Sequence, residues 1–174
     1  MELNSEDLES ALMYISKRLN CKFHSAVVSN DEMQKLKKTI PYVYIQNTDF
    51  SFQKGKHWIL WACLSPKQII FFDSFAECPL YYNLIMPNGP RTRIWKSNAV
   101  QVQPNSSKLC GVYCLWIAFM LLKGNSFEDA INSFSHTLLN KNDKKMRRFY
   151  MSLSFPSIKD RGGRCKQTSC NRLV

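Results

Sequence analysis

Only three histidines occur in the 174 residues, and the seven cysteines include no C-x2-C pair. Structural zinc sites draw on closely paired cysteines and histidines, so Cys110-x3-Cys114 and Cys165-x4-Cys170 read poorly as a metal site. The odd cysteine count and apolar settings such as Ala62-Cys63-Leu64 argue against a disulfide framework, and reduced thiols in a cytosolic or nuclear compartment fit better. No basic-then-apolar leader follows Met1, and no apolar run approaches membrane-spanning length. The expectation is a soluble intracellular protein without membrane contact. There is no internal repeat to suggest a solenoid, and acidic residues are scarce, with 13 Asp and Glu against 24 Lys and Arg.

What is present is enough apolar matter for one core: 45% hydrophobic and 13% aromatic residues. Residues 1–155 read as a single domain and 156–174 as a basic C-terminal tail. The charge is uneven, because residues 141–174 hold ten Lys and Arg against two Asp and Glu. A solvated, weakly ordered tail is one reading of such a block. A polyanion contact is the other, with Lys144, Lys145, Arg147 and Arg148 as candidate DNA ligands, since neutralising phosphates releases counterions.

The stretch from Gln103 to Cys114 carries the most information. A polar, Pro-containing turn there delivers Cys110 onto the start of an apolar run ending at Leu122, with Gly124 as a stop. That run is apolar on every face and too short to span a bilayer, which predicts a central buried helix. The amides at a helix start favour negative charge and so activate a thiol. Cys110 is the candidate nucleophile.

Elsewhere, Ser5 reads as the cap of an amphipathic helix over 6–19, with Leu8, Ala11, Leu12, Ile15 and Leu19 on one face. Residues 22–38 read as loop with a short helical turn opened by Asp31 and Glu32. Residues 41–45 have strand composition, 58–64 and 68–72 form a hairpin pattern around Ser65-Pro66-Lys67, and 91–102 hold one or two more strands. Ser126 opens a helix with Ile131, Phe134 and Leu138 on one face, and residues 142–153 form a basic helix with Met146, Phe149 and Tyr150 inward.

A cysteine nucleophile needs a base, a group orienting that base, and oxyanion donors. His24 falls in a stretch without regular pattern and His136 on a late helix. His57 opens a strand, where a rigid sheet can hold a working side chain. Asp73 ends the partner strand, and the hairpin brings the two far ends together, making His57 and Asp73 neighbours. A carboxylate among so many aromatics needs a partner. The imidazole N–H is one, and the Ser74-Phe75 turn is the competing one. Gln103 lies where its amide can reach a developing oxyanion beside the Cys110 N–H, with Gln101 two residues away on the same face. Trp58 reads either as a wall of the cleft or as ordinary core.

His57-Trp58, Asp73 after a hairpin, and Gln103-Pro104-Asn105-Ser106 leading to Cys110-Gly111 and Cys114 together resemble the adenovirus-type cysteine proteases (adenains) and their relatives, the SUMO-specific proteases. The order His, acid, Gln, Cys is that clan's, and the resemblance covers roughly residues 5–125. It implies an α+β, papain-like fold, a mixed sheet packed on a buried helix that carries the nucleophile, and cleavage of peptide bonds at Gly-containing sites. His57, Asp73, Gln103 and Cys110 would be catalytic and Trp58 substrate-binding. The Gln103 to Cys110 interval agrees with the viral branch, which implies virion precursor proteins as substrates, a monomer working in the host nucleus and virion, and activation by DNA and a viral peptide. Residues 91–102 contain no cysteine to hold such a peptide by a disulfide. The alternatives are a SUMO- or ubiquitin-like deconjugating protease and a catalytically silent binding module of the same fold.

Overall fold

The structure, a computed structural model, describes residues 1–36, 39–87 and 94–153; the basic tail of the sequence reading lies outside them. Helix α1 (Ser5–Leu19) forms where the periodicity predicts it, but its cap is Asn4. The Asp7 amide donates to Asn4 Oδ1 at 2.9 Å and the Asn4 amide donates back to the Asp7 carboxylate at 3.2 Å, a reciprocal box that Ser5 stands one residue too late to make. Leu8, Ala11, Leu12 and Ile15 are fully buried. Burying each of the larger three contributes about 2 kcal/mol against roughly 1 for the cap, so packing rather than capping holds this helix in place.

Five strands form one mixed sheet in the order β1-β2-β3-β4-β5: β1 (His24–Val28), β2 (Tyr42–Asn47), β3 (Trp58–Ser65), β4 (Gln68–Phe72) and β5 (Ile94–Ser97). The hairpin β3/β4 pairs antiparallel with Leu60 opposite Phe72, as its sequence predicts. β1 corrects the loop expected over 22–38, and puts His24 at the start of a strand. It exists because it pairs in parallel with β2, and such a tertiary contact leaves little trace in a short edge sequence. The 3-10 helix Asn30–Lys35 that follows does begin with Asp31 and Glu32.

Both faces of the sheet are covered, so β3 and β4 read as continuous apolar runs rather than alternating ones. Leu60, Ala62, Ile70 and Phe72 pack with the helices, while Ile59, Trp61, Ile69 and Phe71 pack with Met33, Tyr42 and Tyr44 on the other side. The helical face is built on α2 (Cys110–Leu122), nine of whose residues are buried. The expected α+β architecture is the observed one: a mixed sheet against a central helix with Cys110 at its first position. No helix among the described residues is long and apolar enough to cross a membrane.

Two short helices complete the layer. α3 (Phe127–Asn132) opens on Ser126 as predicted but ends before Phe134, and Leu138 is exposed rather than inward. His136 therefore sits in the connection to α4 (Leu139–Ser152), not on a helix. Met146 and Phe149 are buried as expected, and Tyr150 is half-buried. The buried Asn142 explains how α4 is fastened: its amide donates to the Val102 carbonyl at 2.8 Å and the Ser135 carbonyl at 2.7 Å, and its oxygen accepts the Ser135 amide.

Asn142→Ala leaves these three backbone groups unpaired in a buried site and is expected to lower stability by about 2–3 kcal/mol. Urea unfolding of the variant beside the wild type measures this, and a change within experimental error counts against the fastening role.

Candidate active site

His57 and Asp73 meet at the open end of the β3/β4 hairpin, where the antiparallel pairing sets the residue before β3 diagonally across from the residue after β4, on the same face. His57 Nε2 donates to Asp73 Oδ1 at 2.5 Å, and both side chains are buried. Asp73 has no solvent exposure, yet four groups satisfy its carboxylate. Oδ1 also accepts the Phe75 amide at 3.1 Å, and Oδ2 accepts the Glu77 amide and the Tyr82 hydroxyl, each at 3.0 Å. Asp73 makes both contacts the sequence offers it, accepting the imidazole and closing the turn after β4. Asn98 grips its backbone from the other side, accepting the Asp73 amide at 3.2 Å and donating to the Asp73 carbonyl at 2.6 Å.

With Nε2 committed to Asp73, the other ring nitrogen is left for Cys110, which lines the same cleft. Cys110 is mostly buried and lines a cleft of about 850 Å³ together with His57, Trp58, Gln103 and Ser107. Helix α2 packs closely here: a Cβ at Gly111 would stand 3.0 Å from Leu8 Cδ2 and 3.4 Å from Trp58 Cδ1, so a larger residue would require the Leu8 side chain to shift. No side chain caps α2 and no acid lies in its first turn, which leaves the helix start to the sulfur.

Gln103 is buried and fixed at both ends. The Ser74 hydroxyl donates to its Oε1 at 2.6 Å, and its Nε2 donates to the Ser107 carbonyl at 2.9 Å. Gln101, the competing glutamine, instead donates to the Gln103 carbonyl and to Asn105 Oδ1. Asp143 on α4 anchors the same loop by accepting the Ser107 hydroxyl at 3.0 Å and the Tyr113 hydroxyl at 2.8 Å. Neither Asp143 nor Tyr82 is visible as a site residue in the sequence. The signal for Asp143 is that it is the one acid of helix α4, and the signal for Tyr82 is absent.

Burial opposes charging of His57, but its hydrogen bond to Asp73, the neighbouring Cys110 sulfur and the negative charges of both outweigh that, and its pKa rises from 6.5 to about 9. The second cysteine of the helix differs sharply. Cys114 is fully buried, its thiol donates to the Trp58 carbonyl, and desolvation followed by the nearby charge on Cys110 pushes its pKa well up. Trp58 takes both of its sequence readings: it lines the cleft, and its indole N–H donates to the Leu3 carbonyl at 3.1 Å, fastening the N-terminal segment beside the site.

The basic candidates do not adjoin this cleft. Lys144, Arg147 and Arg148 are exposed on α4, whereas Lys145 is half-buried. Its ammonium donates to the Ser133 carbonyl at 2.7 Å and stands 4.3 Å from the Trp116 ring centroid, and burial lowers its pKa. His24 and His136 are exposed and lie outside the cleft. Among the described residues no three His, Cys, Asp or Glu side chains gather to hold a metal.

A folded-state pKa above the unfolded value means that the imidazolium stabilises the fold. This contribution is complete below about pH 6.5 and vanishes as pH rises through about 9, amounting to about 3 kcal/mol. Urea stability of the wild type is expected to fall between about pH 7 and about pH 10 by that order, while His57→Gln lacks this component. Parallel pH profiles for the two proteins would contradict the assignment.

No protein-family model and no curated protein sequence matches the chain. Among solved structures, its fold is similar to that of the selenomethionyl ASFV pS273R protease, with a TM-score of 0.61 at 17% sequence identity, covering 87% of this chain and 67% of that one. At that identity the likeness is one of fold.

Proposed function

We propose that the protein is a cysteine endopeptidase. The observation that carries this is the His57 ring held by Asp73 on one nitrogen, with Cys110 in the same cleft at the start of a buried helix. The fold shared with the ASFV pS273R protease supports it. In this mechanism the Cys110 sulfur, paired with the His57 imidazolium, attacks the scissile carbonyl carbon, and the carbonyl oxygen becomes an oxyanion. The Cys110 amide and Gln103 Nε2 donate to that oxyanion; Ser107 uses one of the two amide hydrogens of Gln103. His57 gives its proton to the departing amine as the C–N bond breaks, leaving a thioester on Cys110. Water then loses a proton to His57, attacks the thioester carbon, and releases the carboxylic acid product as the C–S bond breaks, restoring the Cys110 thiolate beside the His57 imidazolium.

Asp73 works through His57, holding the ring in the tautomer and orientation that presents its other nitrogen to sulfur. The adenain-like specificity implied by the sequence motif, cleavage at Gly-containing sites in virion precursor proteins, belongs to this proposal. So does stimulation by DNA or a viral peptide. Lys144, Arg147 and Arg148 are the exposed cations for a DNA contact, Lys145 being engaged within the protein.

Cleavage of a Gly-Gly-containing peptide is expected to vanish in Cys110→Ala and to fall about 100- to 1,000-fold in kcat for Gln103→Ala. The wild-type kcat/KM declines above about pH 9, where His57 loses the proton required by the leaving amine. Full cleavage by Cys110→Ala rules the mechanism out. Duplex DNA, if bound, is released by salt, and Arg147→Ala lowers the slope of log affinity against log salt by about 1. An affinity indifferent to salt removes the DNA contact.

A further inference from the structure

The loop between β2 and β3, which runs directly into His57, presents two phenylalanines to solvent. Phe50 is 40% exposed and Phe52 84%. Single exposed apolar residues are ordinary on protein surfaces, but these two act as a unit. Their rings stack with centroids 5.7 Å apart and an interplanar angle of 8°.

The turn that carries them is fixed from several directions. The Gln53 amide donates to the Phe50 carbonyl at 2.9 Å, and the Phe50 amide donates to Gln53 Oε1 at 2.8 Å. Ser51 donates through its amide and its hydroxyl to the Asp31 carboxylate at 2.8 and 2.7 Å, tying the tip to the 3-10 helix. At the base, Asn47 Oδ1 accepts the Asp49 and Lys56 amides, and the Thr48 amide donates to the His57 carbonyl at 2.9 Å. Gly55, at φ +80°, lets the chain return over Asn47, since a Cβ there would stand 2.8 Å from Asn47 Nδ2. A turn held this way keeps two aromatic faces outward at little further entropic cost on binding, which is what a pre-organised contact surface requires.

Phe50 also lines the cleft that holds Cys110 and His57, and Phe52, stacked on it, stands just outside that lining. We infer that the Phe50–Phe52 pair is a docking platform for an apolar or aromatic side chain of the polypeptide lying in the cleft, at a fixed position remote from the scissile bond. This rests on the protease reading for the identity of the cleft's occupant. The platform adds a second point of recognition beyond the residues at Cys110, and it selects extended polypeptides over short peptides.

A random dodecapeptide library displayed on phage, selected against the immobilised Cys110→Ala chain and against Cys110→Ala/Phe52→Ser, tests the inference without turnover. Phe52 is the more exposed ring, so its replacement leaves the core packing alone; Phe50→Ser on the same background is the second variant. Retained peptides are expected to carry Phe, Leu, Ile or Trp at one recurrent position. That enrichment should drop roughly threefold to tenfold in each variant, the scale of one aromatic contact. Equal enrichment in all three selections, or none in the first, overturns the platform. Sedimentation of the wild type across micromolar concentrations examines a second copy as the occupant: a dimer abolished by Phe52→Ser would reassign the pair and overturn the inference. Apolar enrichment that persists in a chain shown to cleave no peptide would sink the protease reading instead, leaving a peptide-binding platform.

Discussion

A carboxylate with no exposure to water sits at the end of β4, and the geometry of the whole site depends on how it is satisfied. Asp73 receives four donors, from His57, Phe75, Glu77 and Tyr82, so its charge is carried inside an aromatic setting without an unpaired lone-pair direction. Three of those donors come from the segment immediately following it. The fourth is the imidazole, so the stability of the turn and the orientation of the base are one arrangement. Loss of the carboxylate would free the ring and open the turn together.

The other half of the site is held from the opposite direction. Ser74, next to Asp73, orients the Gln103 amide and accepts the Val102 and Gln103 amides on its carbonyl, so the acid's own neighbour sets the segment leading to Cys110. Asp143 and Asn142, adjacent on α4, secure Ser107 and Val102 on either side of Gln103. The sheet therefore supplies His57 and Asp73, α2 supplies Cys110, and α4 fixes the loop between them. Gly111 lets α2 pack closely against Leu8 of α1 and Trp58 of β3.

Much of this was legible in the residues. His57, Asp73 and Cys110 announce themselves because the hairpin pattern, the polar turn and the apolar helix are each local, and a two-residue connection between strands carries its geometry with it. Gln103 follows from its place just ahead of the nucleophile. What stayed hidden depends on partners distant in sequence. β1 is a strand only through β2, Asp143 meets Ser107 from thirty-six residues away, and Tyr82 reaches Asp73 from a 3-10 turn with no marker of its own. Lys145 is the converse case, since a basic run reads as uniformly solvated although one member folds back over Trp116.

The central claim is that Cys110 owes its reactivity to His57 and that the other cysteines do not share it. Limited alkylation with iodoacetamide at neutral pH, followed by peptide mass spectrometry, compares Cys110 with the exposed Cys78 and the buried Cys114 in the wild type and in His57→Gln. The account predicts that Cys110 is modified first in the wild type, despite its lower exposure, and loses that lead in the variant, while Cys114 stays unmodified in both. Modification in order of exposure alone, with Cys78 ahead of Cys110 and no effect of the histidine, would contradict it.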